Sequence, residues 1–209
     1  MRKGFAITIL LGFLVFTACN DPAADATKAR TGEATQVASP ATAQGHKYVV
    51  TAQNSKIEFV GSKVTGKHNG SFQDFSGQID YTGNPETSRV NIAIKTDSIM
   101  TDTPDLTKHL KTADFFDVAK FPEASFVSTA IKAGGEGGAS HTVTGNLTMH
   151  GVTKSITFPA TINVTPDAAT VESTFSINRK DFNINYAGAA DNAIRDNVVL
   201  TLHVRASKG

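Results

Sequence analysis

Apolar residues recur at every second position over much of the chain, and this period constrains the fold more than any other feature of the sequence. Because successive side chains of a β-strand point to opposite faces of a sheet, the period predicts strands with one apolar face. The pattern is clearest in residues 90–95, 143–149, 156–164 and 198–205. Shorter strands of the same kind are predicted at residues 48–52, 56–60, 70–81, 124–132 and 170–178.

The number and composition of these strands predict a mainly β fold. Thr, Ile, Val and Phe fill the strands, as half-buried pleated surfaces favour, and segments rich in Gly, Pro, Asn and Asp separate them. About eight or nine such strands form an antiparallel barrel or sandwich. An eight-stranded barrel is just wide enough to be filled with side chains or to hold one small ligand, and periodicity alone does not distinguish these alternatives.

One segment, residues 103–111, departs from the strand pattern and predicts a short helix. Thr103 suits the N-cap, Pro104 suits the first helical position, and Asp105 suits the positive end of the helix dipole. Three Phe residues lie within the seven positions 115–121 that follow. Their rings either plug one end of a barrel or line and gate an apolar cavity, and the two roles are compatible.

The amino-terminal residues have the order of an export signal. A short basic segment precedes an apolar run at residues 5–16, which is too short to be a stable membrane span. Cys19, the only cysteine of the chain, follows a small residue. This arrangement resembles the lipobox of bacterial lipoproteins, although Phe16 stands where an aliphatic residue is usual. We expect residues 1–18 to be removed and Cys19 to be lipidated; the alternative is an ordinary cleaved signal with an unrelated cysteine.

We predict a lipidated cysteine and flexible tether over residues 19–45, and one domain over residues 46–209. The tether holds no aromatic residue, and Val37 is its only large aliphatic residue, so it cannot bury enough apolar surface to fold. The lipid anchor would hold the domain in the periplasm, at a membrane of the cell envelope. Asn20, rather than Asp, directly after the cysteine favours the outer membrane over the inner membrane.

Charge and motif content argue against other function classes. Removal of residues 1–18 takes Arg2 and Lys3 from the 20 basic residues and none of the 19 acidic ones, so the net charge becomes −1. This charge argues against nucleic acid or an anionic membrane surface as the main partner. The sequence has no Gly-x-Ser-x-Gly motif and no pair of His residues at zinc-binding spacing, and lipidation would consume its only thiol. We therefore predict a protein that is not an enzyme, with no catalytic residues, no metal and no cofactor.

Several sequence motifs occur in the order and spacing of one known family. The strongest are residues 145–154, Gly-Asn-Leu-Thr-Met-His-Gly-Val-Thr-Lys, and residues 177–182, Ile-Asn-Arg-Lys-Asp-Phe. Shorter matches lie at residues 56–59, 70–77, 94–99, 109–117 and 121–126. Over residues 47–207 the chain resembles the YceI family of bacterial lipid-binding proteins. It departs from the family at residues 104–107, where a charged pair is common, and at Tyr48, where Trp is common.

The resemblance implies an eight-stranded antiparallel barrel of lipocalin-like shape, with a short helix after the fourth strand region. It also implies export to the periplasm and an internal apolar channel that holds a long polyisoprenoid or isoprenoid quinone. Binding such a chain requires apolar area rather than reactive groups. The predicted lining residues are Phe side chains that could equally fill the core: Phe59, Phe72, Phe75, Phe115, Phe116 and Phe126. The predicted head-group contacts are His109, His150 and Arg179, each of which could instead make a structural hydrogen bond.

Two functions fit these features. The leading interpretation is a membrane-anchored carrier or reservoir for a long apolar lipid that is bound inside the barrel. The alternative is a structural or stress-related envelope barrel with a packed interior, which acts through protein partners. The exposed edges of an open barrel would also allow two copies of the chain to pair.

Overall fold

Strands make up most of the protein in the computed structural model, which describes residues 21–37 and 45–209. In chain order the strands are β1 (Arg30–Glu33), β2 (His46–Thr51), β3 (Lys56–Lys63), β4 (Gly66–Phe72), β5 (Phe75–Tyr81), β6 (Arg89–Lys95), β7 (Ile99–Thr101), β8 (Glu123–Ala133), β9 (His141–Met149), β10 (Val152–Val164), β11 (Ala168–Asn178), β12 (Gly188–Ala189), β13 (Asn192–Ala193) and β14 (Asn197–Lys208). A short α-helix, α1 (Pro104–Leu110), lies between β7 and β8, where the sequence predicts one. The predicted signal peptide and Cys19 lie outside the described residues.

Eight long antiparallel strands, each paired with the next along the chain, close into a barrel. Each of the first three long strands is interrupted by a bend and so consists of two consecutive segments: β2 and β3, β4 and β5, and β6 and β7. The other five long strands are β8, β9, β10, β11 and β14. β14 closes the ring because it pairs with β11 on one side and with β2 and β3 on the other. The predicted eight-stranded antiparallel barrel is therefore confirmed.

The three bent strands change direction at the same level, and this opens one end of the barrel. Gln73 N–H donates to Ser98 O at 3.1 Å, and Lys95 N–H donates to Asp74 O at 3.0 Å, so the second and third breaks lie side by side. The first break lies at the same level, because the residues that flank it pair with Phe72 and Ser76. Before the breaks, β6 pairs with β8. Beyond them, β7 pairs with β4 alone among the strands of the described residues. A gap therefore separates β7 from β8.

The helix α1 covers the free edge of β7. Thr101 N–H in β7 donates to the hydroxyl oxygen of Thr107 in α1 at 2.9 Å, so part of the edge is already paired. An edge that is short and covered is a poor template for a strand of another chain. The pairing of two copies stays a prediction, and β7 does not favour it.

The end of the barrel away from this gap is solidly packed. Tyr48 is fully buried there; its hydroxyl donates to Thr165 O at 2.8 Å, and its ring packs edge-on against Tyr81. A buried Tyr needs such a partner for its hydroxyl. Farther along the barrel the rings of Phe158 and Phe175 stack with their centres 4.2 Å apart.

Residues 27–33 lie in a seam of the barrel wall. The ladder between β10 and β11 covers only residues 161–164 and 169–172. Where these strands separate, β1 pairs with residues 154–157 of β10, and Ala29 N–H donates to Ser176 O of β11 at 2.8 Å. Ala29 is only 4% exposed.

The structure thus corrects the predicted flexible tether of residues 19–45 for residues 27–33. Composition correctly indicates that this segment cannot build a core of its own. It does not show that the separated strands β10 and β11 offer unpaired backbone groups, which a short segment can satisfy by joining the sheet. Within the described residues, no helix is both long and apolar enough to span a membrane.

If β1 is part of the barrel, a charge at its buried position will lower the stability of the whole domain. We expect Ala29→Glu to lower the free energy of unfolding by at least about 1 kcal/mol, because a carboxylate at this site loses water without gaining a partner. The measurement is urea unfolding followed by circular dichroism. The control is Ala24→Glu at an exposed site of the same segment, for which we expect a change within about 0.5 kcal/mol. Equal losses of unfolding free energy in the two variants would contradict the placement of Ala29 in the seam between β10 and β11.

Candidate functional site

An apolar cavity of about 550 Å³ lies at the open end of the barrel, between the β3–β4 hairpin, α1 and residues 183–196. This volume is in the usual range for small-molecule sites. Its walls are formed mainly by the apolar side chains of Ile57, Phe59, Phe72, Ile94, Leu106, Leu110, Phe115, Phe116, Leu147, Met149, Ile177, Ile184, Ile194, Val198 and Leu200. A second depression, of about 720 Å³, lies at the β2–β3 turn, but polar side chains such as Gln53 and Glu58 form much of its wall. The first cavity is the better site for an apolar ligand.

Four of the six Phe residues predicted to line a cavity do line it: Phe59, Phe72, Phe115 and Phe116. The Phe72 ring packs against Phe59 and Phe116, with ring centres 6.0 and 5.8 Å apart. Phe115 and Phe116 both line the cavity and also pack against the hydrophobic core, so the rings fill space and form a wall at the same time. Contact of these rings with a ligand stays a prediction.

The other two Phe residues pack elsewhere. Phe75 is 4% exposed and belongs to the packed core. The Phe126 ring lies against Phe158, at 5.8 Å between ring centres, and over Gly145. A Cβ at Gly145 would lie 2.3 Å from the edge of the Phe126 ring, so this motif glycine is required for close packing rather than for a ligand.

Three aromatic rings gather at the mouth of the cavity. His109, Phe115 and Tyr186 lie with ring centres 5.0 to 5.2 Å apart, in edge-on or tilted contacts. His109 Nε2 is 2.8 Å from Asp114 Oδ2, which orients the imidazole at the rim. His109 is therefore placed where a head group would pass. Tyr186 was not predicted, because it lies in a segment without a regular period.

His150 does not line the cavity. It occupies the turn between β9 and β10 in the left-handed region, with φ 51°, and its ring packs on Phe121 at 4.7 Å. Its Nδ1 lies 3.3 Å from the carbonyl oxygen of Phe182. A carbonyl can only accept, so Nδ1 is the donor. The structure favours the structural role for His150 over the predicted head-group contact.

Arg179 reaches the cavity wall, but its donors point into residues 183–196. The side chain is 5% exposed. Nε donates to Arg195 O at 3.2 Å, Nη1 to Ile184 O at 2.6 Å, and Nη2 to Ile194 O at 3.4 Å and Asp196 Oδ1 at 3.3 Å. Burial lowers the pKa of Arg179, while Asp196 opposes this shift, and a guanidinium stays charged in proteins. Its contacts favour a structural role.

Polar residues that the sequence did not single out as site residues also line the cavity: Ser62, Lys63, His68, Thr103 and Arg195. Ser62 Oγ is buried and has no hydrogen-bond partner among the described residues. His68 Nδ1 lies 2.9 Å from Asp102 Oδ1, and Asn69 N–H donates to Asp102 Oδ2 at 2.9 Å. Chiefly through that backbone bond, the pKa of the Asp102 carboxyl is lowered. The site thus combines an apolar interior with a polar rim.

Residues 21–37 and 45–209 contain no group of three or more His, Cys, Asp or Glu side chains placed to hold a metal ion. The cavity walls are instead largely hydrocarbon. The chemistry this arrangement supports is non-covalent binding of an apolar molecule, with hydrogen bonds at one end.

Comparison with known proteins defines the family. The YceI-like domain model matches residues 48–206. The chain belongs to the YceI family. A UPF0312 protein of Pseudomonas putida strain GB-1 is 42% identical to this YceI-family protein over 132 residues, which are 60% of this chain and 68% of that protein.

Solved structures share the fold. The crystal structure of BcnA from Burkholderia cenocepacia matches with a TM-score of 0.66 and 26% identity, over 76% of this chain and 99% of that one. A polyisoprenoid-binding domain from Saccharophagus degradans matches with a TM-score of 0.63 and 17% identity, over 79% of this chain and 100% of that one. At 17% identity the second match supports the fold alone.

The hydrogen bonds of Arg179 predict that its loss will affect folding rather than only binding. We expect Arg179→Met to lower the free energy of unfolding by about 2–4 kcal/mol, because buried carbonyl groups lose their donors. Lys180→Met is the matched control, since Lys180 also binds Asp196, at 3.0 Å, but is half exposed; there we expect a change below about 1 kcal/mol. Unchanged stability of Arg179→Met in thermal unfolding, with lost ligand binding, would instead support the head-group role.

Proposed function

We propose that this YceI-family protein binds one long apolar lipid, a polyisoprenoid or an isoprenoid quinone, in the cavity at the open end of the barrel. The observation that carries the proposal is the cavity of about 550 Å³ with an apolar wall and a polar rim. The YceI family resemblance implies the same ligand class, and a domain of this fold from Saccharophagus degradans is described as polyisoprenoid-binding.

Apolar area alone can supply the affinity. Burial yields roughly 25 cal/mol per Å², so several hundred Å² of a hydrocarbon chain gives on the order of 10 kcal/mol before the cost of association. The rings of Phe59, Phe72, Phe115 and Phe116 provide rigid walls for such a chain. His109 and Lys63 at the rim offer hydrogen bonds to a polar end group. No reactive group is needed, so the role is that of a carrier or reservoir rather than an enzyme.

In this proposal Cys19 carries a lipid anchor that holds the barrel at a membrane of the cell envelope, with the outer membrane favoured by Asn20. Each buried methylene contributes roughly 0.8 kcal/mol of membrane affinity, so two or more acyl chains anchor a protein stably. A carrier of apolar lipid gains from such an anchor because its ligand resides in the membrane.

Filling the cavity should abolish ligand binding without unfolding the barrel. Gly61 lines the cavity, and a Cβ at this position would meet no atom within 4 Å. We expect Gly61→Phe to weaken isoprenoid binding at least about tenfold, measured by calorimetry with a short-chain quinone, because the ring occupies ligand space. Gly32→Phe is the control, since Gly32 also has free space around it but lies on β1, outside the cavity wall. Equal affinities of the two variants would place the ligand elsewhere.

The anchor is tested by growth with radiolabelled palmitate. We expect label in the wild-type protein and in the control variant Asn20→Ala, and none in Cys19→Ala, because the thiol of Cys19 is the attachment point. A wild-type protein without label would contradict lipidation and would favour an ordinary cleaved signal.

A further inference from the structure

An exposed surface with apolar and basic side chains borders the mouth of the cavity. Val64, at the tip of the β3–β4 hairpin, is 53% exposed and is flanked in sequence by Lys63 and, after the turn, Lys67. Tyr186, at the mouth, is 38% exposed. Val64 N–H donates to Ala193 O at 3.2 Å, which fixes the hairpin tip to residues 183–196. We call Lys63, Val64, Lys67 and Tyr186 the mouth surface.

The described amino-terminal segment, which begins at Asp21, reaches the same end of the barrel. Asp21 Oδ2 lies 3.3 Å from Nη1 of Arg195, and Arg195 lines the cavity mouth. Cys19 is two residues before Asp21 in the sequence. Residues 27–33, bound in the seam between β10 and β11, prevent the segment from swinging away as a free tether would.

We propose that the mouth surface docks on the lipid bilayer that holds Cys19, so that the cavity opens toward the membrane. This inference rests on the lipid anchor of the proposed function. A Val side chain between two Lys residues suits the boundary between acyl chains and head groups, since the Lys stems extend toward phosphate. Tyr is likewise favoured at that boundary. In this orientation a lipid passes between bilayer and cavity without exposing its apolar chain to water.

The opposite end of the barrel provides an exposed position, Val49, with which the mouth surface can be compared. Val49 is 43% exposed and pairs with Ser207 near the end of β14. The mouth lies beside the start of β14, since Arg195 N–H donates to Ser62 O at 2.8 Å and Asn197 begins the strand. Ten residues of strand separate the two levels, roughly 34 Å along β14 at the usual rise and less along the barrel axis, because barrel strands are tilted. A docked mouth surface therefore keeps Val49 out of the bilayer.

The test uses the full lipidated chain with one new thiol, Val64→Cys or Val49→Cys, labelled with an environment-sensitive fluorophore. Lipidation blocks Cys19, the only native cysteine, so the label is specific. Each protein is reconstituted on vesicles of phosphatidylethanolamine and phosphatidylglycerol that contain lipids brominated on the acyl chains. We expect the label at position 64 to be quenched at least about threefold more than the label at position 49.

Two results would overturn the proposal, and they differ from each other. Equal quenching at the two positions, or stronger quenching at position 49, on proteins that float with the vesicles, would refute the orientation and leave the anchor intact. Proteins that do not float with vesicles, and whose Cys19 reacts with the fluorophore, would refute the anchor and the orientation together. Neither result bears on ligand binding, which the Gly61→Phe comparison measures separately.

Discussion

The buried guanidinium of Arg179 is the interaction on which the shape of the cavity depends. A charged group at 5% exposure is tolerated because it donates to three backbone carbonyls and one carboxylate, all in residues 183–196. These bonds hold an irregular segment in one conformation. The segment then places Ile184 and Ile194 on the cavity wall and Tyr186 at its mouth. The motif residue thus organises the site without needing to contact the ligand.

The barrel is filled at one end and hollow at the other, so both outcomes that an eight-stranded barrel allows occur in one molecule. At the filled end, Tyr48 and its neighbours leave little room. At the hollow end, the aligned bends of three strands separate β7 from β8, and the gap admits α1 with Phe115 and Phe116. Large rings on both sides of the space keep it open, because rigid aromatic side chains cannot collapse into it as flexible ones could.

Much of the fold, and about half of the site, could be predicted from the sequence. All six Phe candidates lie in the motifs that carry the family resemblance, which implies an apolar channel. Neither a motif nor an alternating pattern gives the level of a side chain along the barrel axis. Phe75 and Phe126 are therefore predicted to line the cavity although they pack in the core. The pairing of β1 in the seam depends on backbone groups left free by distant strands, for which a local pattern carries no signal. Among the polar residues, Lys63 and His68 lie near the tip of the β3–β4 hairpin, outside the segments with a clear period, and Thr103 and Arg195 lie in loops.

Mass spectrometry of the molecules that copurify with the protein shows whether the open end of the barrel holds an isoprenoid lipid. A chain of residues 21–209, which retains the β1 segment, would be exported to a bacterial periplasm, purified without detergent and extracted with organic solvent for mass spectrometry. We expect one isoprenoid lipid per chain. A protein that is empty, and that also takes up no added isoprenoid, would contradict this expectation and direct attention to protein partners.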